Sequence, residues 1–465
     1  MKRNNILILI AFSMLAILQY SCRKSDSNLD VDLNDYNSDK YVYGELDNWL
    51  EASLTNPYNI EVVYRFDRSM GDIAKNISPP NIDRVKPTAE MVLNGFIKVY
   101  EKVAGATFIK TRTPKQFVFF GSTVYNSNGS ETLGTADGGR RVILYNLNTL
   151  DENDYNNVKR RLRTIHHEFT HILNQTIEIP PTFEKITPSD YTSDWTNSAN
   201  TEDLAQKLGF ISRYARDQYT EDFAETVAHL LVEGQLYYDR YANAAGADGK
   251  AKLKQKEAIV VDYFKQYYDI DFRQLQYEMS RTLASLYKDP TETLVYQMKQ
   301  SYLRQIDVDL NQGAHYVSYG QSAVFKTVWT DVEQKLGLNI NGSTGRTARN
   351  FSCVFNGNML QIQASYSSSS TSTSITKAFF DFNISYQADG SVKFIYVPNT
   401  SSGTEYNNGR ITISGWQPLI DYLTNNVFVP DWLPKTAGLA NLRKYAGFYV
   451  QGNAESYFYG PIVLN

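Results

Sequence analysis

Three of the chain's 5 histidines fall within six residues, in Thr164-Ile165-His166-His167-Glu168-Phe169-Thr170-His171. That crowding constrains the local fold more than any other feature, and chance is a poor account of so scarce a residue. Side chains four positions apart point the same way only on an α-helix, where they sit one turn apart. The flanking residues supply that helix, because Val158, Leu162, Ile165, Phe169 and Ile172 recur at spacings of four and three and form one apolar stripe. A rotation of about 100° per residue sets His167 and His171 within about 40° of each other, opposite the stripe. The stripe faces a core and the histidines face something else.

Two neutral imidazoles one turn apart can bind Zn²⁺, and Glu168 between them is placed to act as a general base. The competing readings are a structural zinc site or a hydrogen-bonded histidine pair. A structural site is normally closed by four ligands, and Cys353 is the one cysteine besides Cys22. His166 lies off the metal face and is expected to support a ligand or to face solvent. A catalytic site needs a third protein ligand, and the H-E-x-x-H-x-x-G-x-x-H continuation does not supply it: Asn174 stands where that pattern has Gly, and Ile177 where it has His.

The N-terminus bears on compartment. Lys2 and Arg3 precede an apolar run from Ile6 to Leu18, followed by Gln19-Tyr20-Ser21-Cys22, the order of an export signal. The run is too short for a membrane span. A cysteine after a small residue at this place resembles a bacterial lipobox, which implies a signal peptide of residues 1–21 and lipid on Cys22. The alternative is simple secretion. Cys353 would then be the remaining thiol, so packed cores and not internal disulfides must hold the protein together. Its setting, Phe351-Ser352-Cys353-Val354-Phe355, reads as a buried strand. With 46 Lys+Arg against 50 Asp+Glu mixed along the chain, there is no basic field to attract nucleic acid, and none is expected as a partner.

Residues 22–40, rich in Ser, Asp and Asn without periodicity, read as a flexible tether. Asp26, Asp30, Asp32 and Asp35 there resemble signals that send lipoproteins to the outer surface in the Bacteroidetes group. From residue 41 to 288 strands and helices mix. Ile60 to Phe66, Gln116 to Phe120 and Arg141 to Asn146 look like strands, and Met91 to Val103 like a helix. After Asp289-Pro290 the composition shifts. Ser352 to Phe355, Phe379 to Ile384, Val392 to Val397 and Arg410 to Ile413 read as strands of a β-rich domain spanning residues 289–465, with residues 290–340 ambiguous. The expected class is α+β.

Downstream of the histidine helix lies Tyr214-Ala215-Arg216-Asp217-Gln218-Tyr219-Thr220-Glu221-Asp222-Phe223-Ala224-Glu225. H-E-x-x-H followed by Y-x(6)-E-x-F-A-E resembles the catalytic domain of anthrax lethal factor, a gluzincin-like arrangement. It resembles still more the zinc-metallopeptidase lipoproteins of Bacteroidetes that accompany TonB-dependent import systems. The resemblance implies a zincin-like metallopeptidase domain over residues 41–288, with Glu221 as third zinc ligand beside His167 and His171, and Tyr214 assisting the tetrahedral intermediate. It implies a peptide or glycoprotein substrate, an outer-membrane lipid anchor facing the cell surface, and a TonB-dependent transporter complex as partner. The alternative is a noncatalytic lipoprotein that binds substrate for such a complex. Glu221 and Glu225 are one helical turn apart, with Ala224 and Ala228 leaving room for close helix approach, so Glu225 can accept the free N–H of a ligating histidine. The two glutamates could exchange roles. His229, one turn beyond Glu225, reads as structural.

Two further stretches stay open. Arg141 to Asn146, the nearest strand before the histidine helix, is either an edge that holds peptide by main-chain hydrogen bonds or an ordinary paired strand. Trp416, Tyr422, Trp432 and Tyr457-Phe458-Tyr459 form either a carbohydrate or peptide platform or the packing of the β domain.

Overall fold

The computed structural model describes residues 42–465 apart from positions 73, 399, 440 and 442. The expected signal peptide, Cys22 and the tether lie outside the described residues. The chain divides into a unit ending at Trp49, of which residues 42–49 are described, and a unit spanning Leu50–Asn465. The described part of the first opens the helix Glu45–Leu50. No helix among the described residues is long and apolar enough to cross a membrane.

The second unit is α+β, as expected, and begins with a small sheet. Strands β1 (Glu61–Val63), β2 (Gln116–Phe119), β5 (Gly134–Asp137) and β6 (Arg141–Leu144) lie in the order β1-β2-β6-β5. β1, β2 and β6 run parallel, while β5 pairs antiparallel to β6 through Ala136 opposite Val142. A short ribbon, β3 (Val124–Tyr125) with β4 (Glu131–Thr132), precedes β5. β6 is thus flanked on both sides, so Arg141–Leu144 is an ordinary paired strand and β5 is the edge. Phe117, Val142 and Leu144 are buried under the helices that cover the sheet.

The histidine helix spans Tyr155–Asn174, and Asp154 caps it by accepting the Asn156 N–H at 2.9 Å. All five residues of its apolar stripe are buried. Phe169 packs edge-on to Phe96 at 4.8 Å and to Tyr100 at 5.1 Å. Close approach here depends on Gly95, in the π-turn Leu93–Ile97, because a Cβ at this position would lie 2.6 Å from Leu162 Cδ2. His166 is not a surface or ligand-supporting residue. It is fully buried against Phe96 and Tyr100, with Nε2 sharing a hydrogen bond with the Gly95 carbonyl at 3.1 Å, and burial pulls its pKa down to about 4.

A second helix, Tyr219–Val232, lies against the first with Ala224 and Ala228 fully buried. Its orientation is fixed from behind by Asp222, whose carboxylate meets Lys256 Nζ at 2.7 Å and accepts the Tyr191 hydroxyl at 2.9 Å. Lys256 comes from the helix Gly246–Tyr268, and both charges are completely buried.

The remainder closes into a barrel of β7 (Leu303–Val308), β8 (Thr347–Asn356), β9 (Met359–Ser367), β10 (Thr376–Tyr386), β11 (Val392–Val397), β12 (Val427–Trp432), β13 (Tyr445–Val450) and β14 (Asn453–Leu464). All neighbours are antiparallel, and β14 seals it against β7 with Ile462 opposite Ile306. Residues 290–340 supply β7 and the helix Ala323–Gly337. The expectation of a strand at Arg410 to Ile413 is wrong: these residues lie inside the helix Thr404–Asn425. Their polar-apolar alternation mimics a strand, but the residues the helix buries include Thr412, Gly415, Trp416 and Leu419, which follow a helical period. Gly415 lets this helix cross the other, since a Cβ there would lie 2.7 Å from Leu336 Cδ1. Trp329 and Trp416, 6.1 Å apart, join Phe380, Phe428 and Phe448 in the barrel core. Trp416, Phe458 and Tyr459 are therefore core residues and not a platform. Cys353 is buried in β8, and burial pushes its thiol pKa well above the ordinary range.

Candidate metal and catalytic site

The two helices bring the expected ligands together. His167 Nε2 and His171 Nε2 are 3.0 Å apart, and Glu221 Oε2 lies 3.0 Å from the first and 3.3 Å from the second. Ligand atoms about 2.0–2.1 Å from one tetrahedral zinc ion are separated by about 3.3 Å, so the triangle is of the right size. Among the described residues this is the one group of such side chains with that convergence.

The donor chemistry makes the same point. His167 Nδ1 lies 2.9 Å from Glu225 Oε1, and a carboxylate can only accept, so Nδ1 carries the proton. In the neutral ring Nε2 then holds a lone pair, and it faces a second imidazole nitrogen and the Glu221 carboxylate. Three electron-rich atoms converging in this way fit a cation, and imidazole with carboxylate suits zinc. The local field also favours positive charge. Burial opposes a charged His167, yet hydrogen bonds to Glu221 and Glu225 outweigh it and push the pKa up to about 10. Burial likewise opposes ionisation of the two glutamates, but the histidines hold Glu221 well below the usual carboxylate range and Glu225 at about 2.

Around this triangle stand further groups. Glu225 also accepts the Ser212 hydroxyl at 2.7 Å, so one carboxylate orients the ring while a serine orients the carboxylate. His229 donates from Nδ1 to the Glu225 carbonyl at 2.9 Å and accepts from Arg163 Nη1 at 3.2 Å, the structural place expected of it. Glu168 stands beside the triangle without joining it and accepts the Ala136 backbone N–H of β5; burial raises its pKa, against the pull of His167 and His171. Tyr214, from the 3-10 turn Tyr214–Arg216, stacks on His167 at 5.8 Å and rests on Trp195 at 4.9 Å. Burial and then the Glu221 charge raise its hydroxyl pKa far above the ordinary value, so it is held as a donor.

Of the residues singled out by sequence, His167, Glu168, His171, Tyr214, Glu221 and Glu225 lie together at this one place. Ser212, Ala136 and Trp195 were not foreseen. Nothing marks Ser212 or Ala136 in the sequence, since each reaches the site only through the folding of distant segments. Two cavities flank the site. One of about 630 Å³ extends past Glu168 and Tyr214 towards Arg160. The other, of about 350 Å³, opens at His171, Ala136 and Glu221. Edge strand β5 runs between them, from Gly134 beside the first to Ala136 beside the second.

Residues 39–273 match the model of a family described as "Putative zinc-binding metallo-peptidase". A solved structure of a "putative zinc-binding metallo-peptidase" from Bacteroides caccae is similar at 29% identity, over 53% of this chain and 97% of that one, with a TM-score of 0.46. No curated protein matches.

Proposed function

Because this chain belongs to the family of zinc-binding metallo-peptidases, we propose that it is a zinc-dependent hydrolase of peptide bonds, with His167, His171 and Glu221 as ligands. The observation that carries the reading is the triangle of ligand atoms with Glu168 immediately beside it and outside it. Zinc held there would supply a Lewis acid that polarises the scissile carbonyl and acidifies a water. Glu168 takes that water's proton on its carboxylate and returns it to the leaving amine nitrogen. Tyr214 donates its hydroxyl proton in a hydrogen bond to the carbonyl oxygen as negative charge develops. Glu225 keeps the His167 ring in the tautomer whose Nε2 is free to ligate.

The same reading assigns the catalytic domain to residues 41–288 and a β-rich companion to residues 289–465. The N-terminal sequence supports a lipid anchor on Cys22 in the outer membrane, facing the cell surface. Peptides or glycoproteins are the proposed substrates, trimmed for a neighbouring TonB-dependent transporter. A binding lipoprotein without catalysis would have no need of Glu168. The test is Glu168→Gln, which should keep zinc and fold but lose zinc-dependent cleavage of a diverse peptide library followed by mass spectrometry. Equal cleavage by both proteins would sink the mechanism, and peptide binding without cleavage by either would favour the noncatalytic role.

A further inference from the structure

The larger cavity carries a charge that the proposed chemistry does not use. Arg160 lies seven residues before His167 on the same helix, within about 20° of it around the axis and about 10 Å along it. It lines the cavity and is half-buried, and while its carbonyl accepts the Thr164 hydroxyl at 3.3 Å, its guanidinium makes no hydrogen bond or ion pair with any described residue. Among the described residues no carboxylate forms an ion pair with it. The run Lys159-Arg160-Arg161-Arg163 places four cations on one stretch of helix. Glu233 is shared between Lys159, at 2.9 Å, and Arg163, at 3.1 Å, while Asp289 sits 3.4 Å from Lys159. Arg161 is bonded only to the neutral Asn157 and Thr149 side chains, at 3.0 and 2.8 Å. Of the acids that line the same cavity, Glu225 and Glu168 are engaged with His167 and Ala136, Glu202 accepts the Arg213 N–H, and Glu131 is exposed on the ribbon.

Edge strand β5 gives the cavity a direction. A peptide paired antiparallel to β5, the commoner arrangement, would run from the His171 side towards Arg160. An extended chain advances about 3.3 Å per residue, so a helix position about 10 Å away is level with a substrate residue about two or three beyond the bond at the metal triangle.

We propose that Arg160 is a specificity-determining residue that binds a substrate carboxylate two or three residues C-terminal to the scissile bond. The proposal rests on the peptidase reading and deepens it. An acidic side chain and a free C-terminus offer the same chemistry, and the guanidinium fork can take either carboxylate in two parallel hydrogen bonds.

The test is binding in the zinc-loaded Glu168→Gln protein, where no turnover intrudes. Calorimetry would compare amidated octapeptides with one Glu walked along an otherwise neutral Gln/Ala sequence, and the all-Gln peptide with free and amidated C-termini. A carboxylate at the matching position should tighten binding about tenfold or more, as charged hydrogen bonds do. Arg160→Gln should bring the paired peptides within about twofold of each other, while Arg160→Lys, with charge but no fork, should keep part of the preference. Zinc content and melting of each variant check that the site is intact. Discrimination that survives Arg160→Gln, or equal binding of every Glu and Gln peptide by the parent, overturns the proposal. Cleavage of the all-Gln peptide by the wild type is followed separately. Loss of zinc-dependent cleavage across the whole diverse library, and not of this one peptide, would count against the peptidase reading, while the binding preference would still decide the carboxylate site.

Discussion

At the scale of single residues, the two glutamates separate by what each touches. Glu221 Oε2 is within 3.3 Å of both imidazole nitrogens, whereas Glu225 reaches only the far side of the His167 ring. Glu221→Ala should therefore nearly abolish zinc binding, and Glu225→Ala should weaken it about 10- to 100-fold. Zinc titration against a competing chelator measures both, and the opposite order would exchange their roles. Tyr214→Phe should lower kcat about a hundredfold or more with little change in KM, since its hydroxyl acts on charge that appears only in the transition state. An equal rise in KM would instead make Tyr214 a binding residue. His167, Glu168 and His171 were legible in the sequence because one helical turn turns a spacing into a shared direction. Glu221, Glu225 and Tyr214 came from a second motif whose likeness to known peptidases marked it. Ser212 and the Ala136 N–H were illegible, being a hydroxyl and a main-chain group that acquire their partners only in the folded chain.

Among elements, the helix bearing Glu221 is held from the side opposite the site. Burial pushes Asp222 up and Lys256 down, against the mutual attraction that keeps the pair together. Lys256→Met should leave a buried carboxylate without its cation and cost about 3–5 kcal/mol, read as a lower urea midpoint. If stability is unchanged, the pair does not hold this helix. The histidine helix was legible because its stripe repeats at helical spacing over nearly its full length. Edge strand β5, Gly-Thr-Ala-Asp, was not, for a strand that offers one side of its backbone to a cavity has no need of alternating apolar residues. The Arg410 to Ile413 error has the opposite cause. Four residues carry a period of two by accident, and only the longer run to Trp416 and Leu419 exposes the helix.

On the scale of the whole molecule, the barrel is joined to the rest of its unit by part-buried polar contacts. Trp432 Nε1 donates to the Glu292 carbonyl at 2.8 Å, and Arg443 forms an ion pair with the Glu292 carboxylate and bonds Ser280 Oγ at 3.0 Å. Arg443→Ala should strand Glu292 and lower stability by about 3–5 kcal/mol, measured by denaturant unfolding. A neutral result would mean that water reaches Glu292 once the arginine is gone. Composition and turn residues made a β-rich C-terminal half legible, but not closure, which depends on Ile306 and Ile462 meeting across most of that half. The seam also sets an order of events. A chain made from its N-terminus can assemble the sheet and helices that hold the metal triangle while it is still being synthesised, because their strands end at Leu144 and their helices by Tyr287. β7 closes the barrel only by pairing with β14, which is far from it along the chain, so closure is a nonlocal and therefore slow step. Until β14 pairs, β7 has an unmatched edge towards it, and a barrel without β14 would keep that edge open to association with other chains.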